Sequence, residues 1–80
     1  MNSRSVTPAA IGEIVRSTRK ACHLRQDQAA GAAGVGLRFV VELEAGKPTA
    51  QLGKTLQVLS TLGCSIAITP PSEPLGGRGP

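Results

Sequence analysis

The chain has 80 residues, enough for one small domain whose hydrophobic core is thin on its own, so added stability is expected from dimerisation. It contains no Trp or Tyr and a single Phe, so Ala, Val, Leu and Ile must build a light core. Its formal net charge of +4 suits a polyanionic partner without requiring one. Cys22 and Cys64 show no CxxC or Cys/His ligand spacing. Together with the absence of any paired acids or nucleophile–base pair, this argues against a metal, a cofactor or an enzyme.

Residues 1–6 carry Asn, Ser and Arg without periodicity and are expected to form a flexible arm. Thr7-Pro8 predicts a helix start, with a capping hydroxyl followed by Pro at the first helical position, where the missing N–H costs nothing. Ile11, Ile14, Val15, Thr18 and Cys22 form its apolar stripe. Arg16, Arg19 and Lys20 fall near its C-terminus, where cations are favoured. In this register both cysteines occupy apolar periodic positions and read as buried, reduced thiols of a cytoplasmic protein. The N-terminus has no apolar run long enough for a signal peptide or a membrane span, so no membrane partner is expected. His23, in the link His23-Leu24-Arg25, has no second ligand spaced to help it.

Gln26 opens a second helix with Ala29, Ala30 and Ala33 on one face. Gly34 can take the positive φ of a tight turn, and Val35, Val40 and Leu43 resume the apolar pattern on a third helix, Leu37 to Ala45. Two short helices in one core, with small Ala30 where they touch, read as a helix-turn-helix. Gly31 costs about 1 kcal/mol relative to Ala within a helix, and close packing is the only reason the pattern offers for it. The outward residues of the third helix are Gly36, Leu37, Arg38, Val41 and Glu42, with Phe39 read as core. Gly34-Val35-Gly36 follows no strand and lacks the third Gly of a dinucleotide fingerprint. Gly46 is read as the stop after the third helix. A fourth helix is expected from about Ala50 to Leu62, capped by Thr49 and stopped by Gly63. Its core stripe is read as Leu52, Leu56, Leu59 and Leu62, with Lys54 outward and Val58 off the stripe as a dimer contact. Cys64, Ser65, Ile66, Ala67 and Ile68 change to period two. A lone strand leaves its backbone unpaired, so these residues are expected to pair with their counterparts across a two-fold axis. Residues 69–80, rich in Pro, Gly and Ser, are read as a disordered tail, which leaves 7–68 as the folded domain.

The phrase Gln26-x-x-Ala29-Ala30-x-x-x-Gly34-Val35, followed by Phe39-Val40-x-x-Leu43-Glu44-x-Gly46-Lys47-Pro48-Thr49, resembles the Cro/C1-type (Xre-family) helix-turn-helix proteins. Within them it is similar to the HipB-type antitoxins that partner HipA-like kinases. Arg25 and Gly36 depart from the pattern, standing where Ser, Thr or Asn is common. The resemblance implies an all-α, four- to five-helix, lambda-repressor-like domain with a short C-terminal β-strand pairing across a dimer. It further implies an Arg19–Glu44 ion pair, phosphate contacts from Gln26 and Lys47 and, more weakly, from Arg4, and a third helix lying in the major groove.

Within that groove Arg38 can give two parallel hydrogen bonds to guanine O6 and N7, Leu37 and Val41 can meet thymine methyls, and Glu42 can accept from cytosine N4 or steer Arg38. The implied function is a homodimeric repressor on an inverted-repeat, double-stranded DNA operator. In the HipB-like case it autoregulates a toxin–antitoxin operon and binds a HipA-like kinase toxin. A phage-type or general Xre-family regulator without a toxin, and a helical protein-interaction module, are the alternatives the residues leave open.

Overall fold

The computed structural model describes residues 6–72. The arm residues 1–5, Arg4 among them, and the tail from 73 onward lie outside the described residues. Among the described residues there are four helices: α1 (Pro8–Ala21), α2 (Gln26–Ala33), α3 (Leu37–Glu44) and α4 (Leu52–Thr61). Thr7 caps α1, its Oγ1 accepting from the Ala10 N–H at 3.0 Å, with Pro8 in the first turn. Arg25 cannot cap α2 with an acceptor of its own. Instead the Gln28 side chain reaches back to accept the Arg25 N–H at 2.8 Å. Gly34, at φ 73°, ends α2 in the left-handed region, and Gly36 is the N-cap of α3.

The core is built from Val15, Ala30, Ala33, Val40, Leu43, Val58, Leu59 and Leu62, with Phe39 half-buried at its edge. Among the described residues, Val15, Val40 and Val58 are the larger side chains that are completely enclosed. α3 packs against both α1 and α2, and α4 packs against α2.

The buried faces of α1 and α4 differ from those the apolar stripes predicted. On α1, Ile14 is 51% exposed and Cys22 lies at the surface, while Gly12 and Arg19 are buried beside Val15. The reason is a close approach: the end of α3 lies against Gly12, so that a Cβ there would fall 2.9 Å from the Glu44 carbonyl oxygen and closer still to that of Leu43. Only a residue without a side chain admits that contact, and the contact turns α1 so that Ile14 faces out. Cys22 is therefore not a buried thiol, and Cys64 is only half-buried, its Sγ 3.7 Å from Thr18 Oγ1.

On α4 the buried residues are Thr55, Val58 and Leu59, joined by Leu62 at its C-cap. Leu52 is 69% and Leu56 43% exposed, and Val58, expected off the core, lies within it. Thr55 can take an interior position because its hydroxyl donates to the Gln51 carbonyl at 2.8 Å, which satisfies it locally. The helix starts at Leu52 with Gln51 as N-cap, and Thr49 does not cap it. Gly31 is not a packing contact either: nothing lies within 4 Å of the place its Cβ would occupy. Cys64 to Ile68 form no regular element within the single chain, and Ser65 to Ile68 are exposed.

The two glycines should respond oppositely to substitution. Gly12→Ala forces α1 and α3 apart and is expected to cost about 2 kcal/mol, within the range for overpacking. Gly31→Ala is expected to stabilise by about 0.5–1 kcal/mol, because it adds a better helix former in open space. Urea unfolding of both variants checks the contrast.

Candidate nucleic-acid interface

Tight packing between α2 and α3 decides which side of α3 remains exposed. Ala29, Ala30 and Ala33 on α2 are small enough to let Val40 and Leu43 seat in the core. The opposite face, Leu37, Arg38, Val41 and Glu42, then points away from the protein: Leu37 is 49% and Val41 42% exposed, and the Arg38 side chain extends into solvent.

α3 is fixed at its far end through Glu44. Arg19 of α1 donates to the Glu44 carboxylate twice, from Nε at 2.6 Å and from Nη2 at 2.9 Å, and its Nη1 donates to the Leu24 carbonyl at 2.8 Å. Gln26, first residue of α2, adds a bond from Nε2 to Glu44 Oε1 at 3.1 Å. Both charged side chains of the pair are almost wholly enclosed. Burial alone would raise the Glu44 carboxyl, but the hydrogen bonds from Arg19 and Gln26 and the Arg19 charge outweigh it and hold it below the ordinary glutamate value. The Arg19 guanidinium is correspondingly shifted upward, chiefly by its hydrogen bond to Glu44. Among the described residues no buried side-chain nitrogen or oxygen is left without a partner.

A second set of charges lies on the exposed side. Glu42 accepts from Lys47 Nζ at 3.0 Å and from Arg38 Nε, one helical turn away, at 3.4 Å. The Lys47 hydrogen bond is the main cause of the downward shift of the Glu42 carboxyl. These three residues line a cleft of about 380 Å³ together with Gly36, Phe39 and Lys54. Lys54 stands over the Phe39 ring, 5.9 Å from its centre. On the other flank of α3, Arg16, Gln26 and Val41 share a second cleft with the Arg19–Glu44 pair. Arg16 and Lys54 are cations that the sequence motifs did not place beside α3. The available signal was helical phase, since Arg16 precedes Arg19 by one turn and Lys54 was read as outward.

This arrangement is an exposed helix with apolar and hydrogen-bonding side chains, flanked on both sides by cations. It occurs in a chain that is 67% identical over 73 residues to the HTH-type transcriptional regulator y4mF of Sinorhizobium fredii, the match covering 91% of this chain and 96% of the relative. The chain belongs to the HTH-type transcriptional regulators. No family model matches it. Among solved structures it is similar to a chain of a HipB–O4 20mer complex and to one of a HipA–HipB–O2–O3 complex. Each has a TM-score of 0.74 and 15% identity, and the match covers 85% of this chain and 96% of that one. The MDT protein gives a TM-score of 0.75 at the same identity and coverage. The likeness establishes a HipB-like helix-turn-helix fold for this regulator. No helix among its described residues is long and apolar enough to cross a membrane.

Removing one partner of the Arg19–Glu44 pair leaves the other charge enclosed, so Arg19→Ala is expected to destabilise the regulator by about 3 kcal/mol. The depressed Glu44 carboxyl gives the pH dependence a definite sign. Its contribution is full above the ordinary carboxylate range and is gone once the pH has fallen through the lowered folded value. Glu44→Gln should therefore be less stable near neutral pH and show a flatter acid limb than the wild type. Urea titrations across that range measure both effects.

Proposed function

We propose that this regulator is a sequence-specific DNA-binding repressor that acts as a homodimer on an inverted repeat. We further propose that it is the HipB-like antitoxin of a type II toxin–antitoxin system, repressing its own operon and binding a HipA-like kinase toxin. The observation that carries the DNA reading is the outward face of α3, where Leu37, Arg38, Val41 and Glu42 stand between two cationic flanks. In this reading α3 enters the major groove with its Gly36 end leading. Arg38 reads guanine, Leu37 and Val41 meet thymine methyls, and Gln26 and Lys47 fix the register on phosphates. Arg16 and Lys54 extend those phosphate contacts along the two flanks. The toxin reading is supported by the sequence motifs and by the HipB fold, one of whose solved examples is a complex with HipA.

Dimerisation is supported by apolar surface that the monomer leaves uncovered. Ile14, Leu52, Leu56, Ile66 and Ile68 are all exposed. Ile11, Ile14, Leu59, Cys64 and Ile66 line an apolar cleft of about 240 Å³ between α1 and the segment after α4. Pairing of Cys64–Ile68 with the same residues of a second copy would satisfy this segment's backbone and cover its apolar side chains. Two copies then present two recognition helices to successive major grooves about one helical turn apart, and the second contact adds to the affinity of the first. Residues 7–68 serve as the DNA-binding and dimerisation domain, between an N-terminal arm of residues 1–6 and a tail of residues 69–80, and the protein works in the cytoplasm.

The test is binding to a duplex from upstream of its own gene and to a scrambled duplex, each over a salt series. The expected result is preference for the upstream duplex with a steep salt slope. Arg38→Ala should lose about 1–3 kcal/mol on the upstream duplex and relax the preference. Equal, weak binding to both duplexes would point to a protein-interaction module instead, and preference without co-purification of a kinase to a regulator that has no toxin. Ile66→Lys should shift the sedimenting species from dimer to monomer.

A further inference from the structure

The base-reading and phosphate-binding cations of α3 and its following loop are already engaged within the chain, and by the same group. Glu42 reaches Lys47 with one carboxylate oxygen and Arg38 with the other. It is the one acidic residue on the wall of a cleft that also carries Arg38, Lys47 and Lys54. A carboxylate bridging a guanidinium and an ammonium offers them what a backbone phosphate would offer, two anionic acceptor oxygens. The Nη donors of Arg38 and two ammonium protons of Lys47 stay free, but an anion that approaches either cation meets the Glu42 carboxylate beside it and competes with it for their charge.

On the DNA reading of α3, on which this inference rests, that competition has unequal consequences on different sequences. Phosphates are present on every duplex, so the competition weakens binding to all DNA. Once displaced, the Glu42 carboxylate faces a groove lined by negative charge, and it is stabilised there only where a base edge offers an amine donor such as cytosine N4. We infer that Glu42 sets the discrimination of this interface: it holds Arg38 and Lys47 against phosphates, and yields them at sites that give its carboxylate a donor. The residue is then a brake on non-specific binding as well as a reader, and its charge beside the phosphates is the means of that selectivity.

Glu42→Gln keeps the size of the side chain and removes the charge. Glu42→Asp keeps the charge on a shorter stem. Both are measured in the full chain on the upstream and scrambled duplexes over the salt series, with thermal melts to verify folding. Glu42→Gln is expected to bind the scrambled duplex tighter than wild type by on the order of fivefold, the scale of two exposed ion pairs. Its salt slope should steepen by about one, because a further phosphate contact is made. Its gain on the upstream duplex should be smaller, so that the preference narrows, while Glu42→Asp remains closer to wild type on scrambled DNA. Scrambled-duplex affinity unchanged in Glu42→Gln, or an equal gain on both duplexes, overturns the inference. Failure of the underlying DNA reading is separately visible: the wild type would then show no preference between the duplexes and Arg38→Ala would alter nothing, and the inference falls with it.

Discussion

Glu44 is the last residue of α3, a place where the negative end of the helix dipole disfavours a carboxylate and where burial disfavours it further. Its position is tenable because Arg19 arrives from the C-terminal turn of α1 with two donors and Gln26 from the first turn of α2 with a third. Three helices are thereby joined at one side chain. The joint lies at the end of the helix that faces outward, so it fixes the far end of a helix whose face is set by its apolar packing against α2. The third donor of Arg19, spent on the Leu24 carbonyl, ties the α1–α2 link into the same joint.

That joint requires α3 to come very close to α1, and Gly12 is what allows the distance. The core around it is made of small and medium aliphatic residues, Ala on α2, Val on α1, α3 and α4, and the three leucines Leu43, Leu59 and Leu62, with Phe39 only at the edge. Small residues permit close helix packing but bury little apolar area per position, so the stability of the fold rests heavily on geometry at a few contacts. The same economy leaves Leu52, Leu56, Ile14, Ile66 and Ile68 uncovered on one chain. A protein with so light a core gains most from an interface that covers such side chains.

The exposed side of α3 follows a different logic. Its charges are paired loosely and in solvent, where each pair contributes little to folding. Their arrangement matters for what approaches from outside, because Arg38, Lys47 and Glu42 form one exchangeable set beside a cleft that also holds Lys54. Rigid support from within through Glu44 and exchangeable charge without through Glu42 are two acidic residues of one short helix put to opposite uses, and burial separates them.

Local signals were enough for the helix-turn-helix itself. Thr7-Pro8, the alanines of α2, Gly34 at the turn and the Val40–Leu43 spacing act over a few residues, and the structure places α1, α2 and α3 where those signals put them. The outward set on α3 was legible for the same reason, since an eight-residue helix with two buried positions leaves little choice of face. The buried faces of α1 and α4 were legible only in part: Val15, Leu59 and Leu62 are inside as expected, while Ile14, Cys22, Leu52 and Leu56 are not. On α4 the stripes Leu52–Leu56–Leu59–Leu62 and Thr55–Val58–Leu59–Leu62 are both helical in period, and periodicity cannot choose between two stripes that share two residues. Packing against α2 chose the second and made Thr55 a core residue by bonding its hydroxyl locally. On α1 the approach of α3 to Gly12 set the rotation, exposing Ile14 and Cys22. The sequence by itself determined which segments are helical and where they turn, because propensity, capping and glycine conformation are properties of neighbouring residues. Only the tertiary structure decided which side of each outer helix is inside, and that Gln26 of α2 joins the Arg19–Glu44 pair, because those outcomes depend on groups brought together from distant parts of the chain.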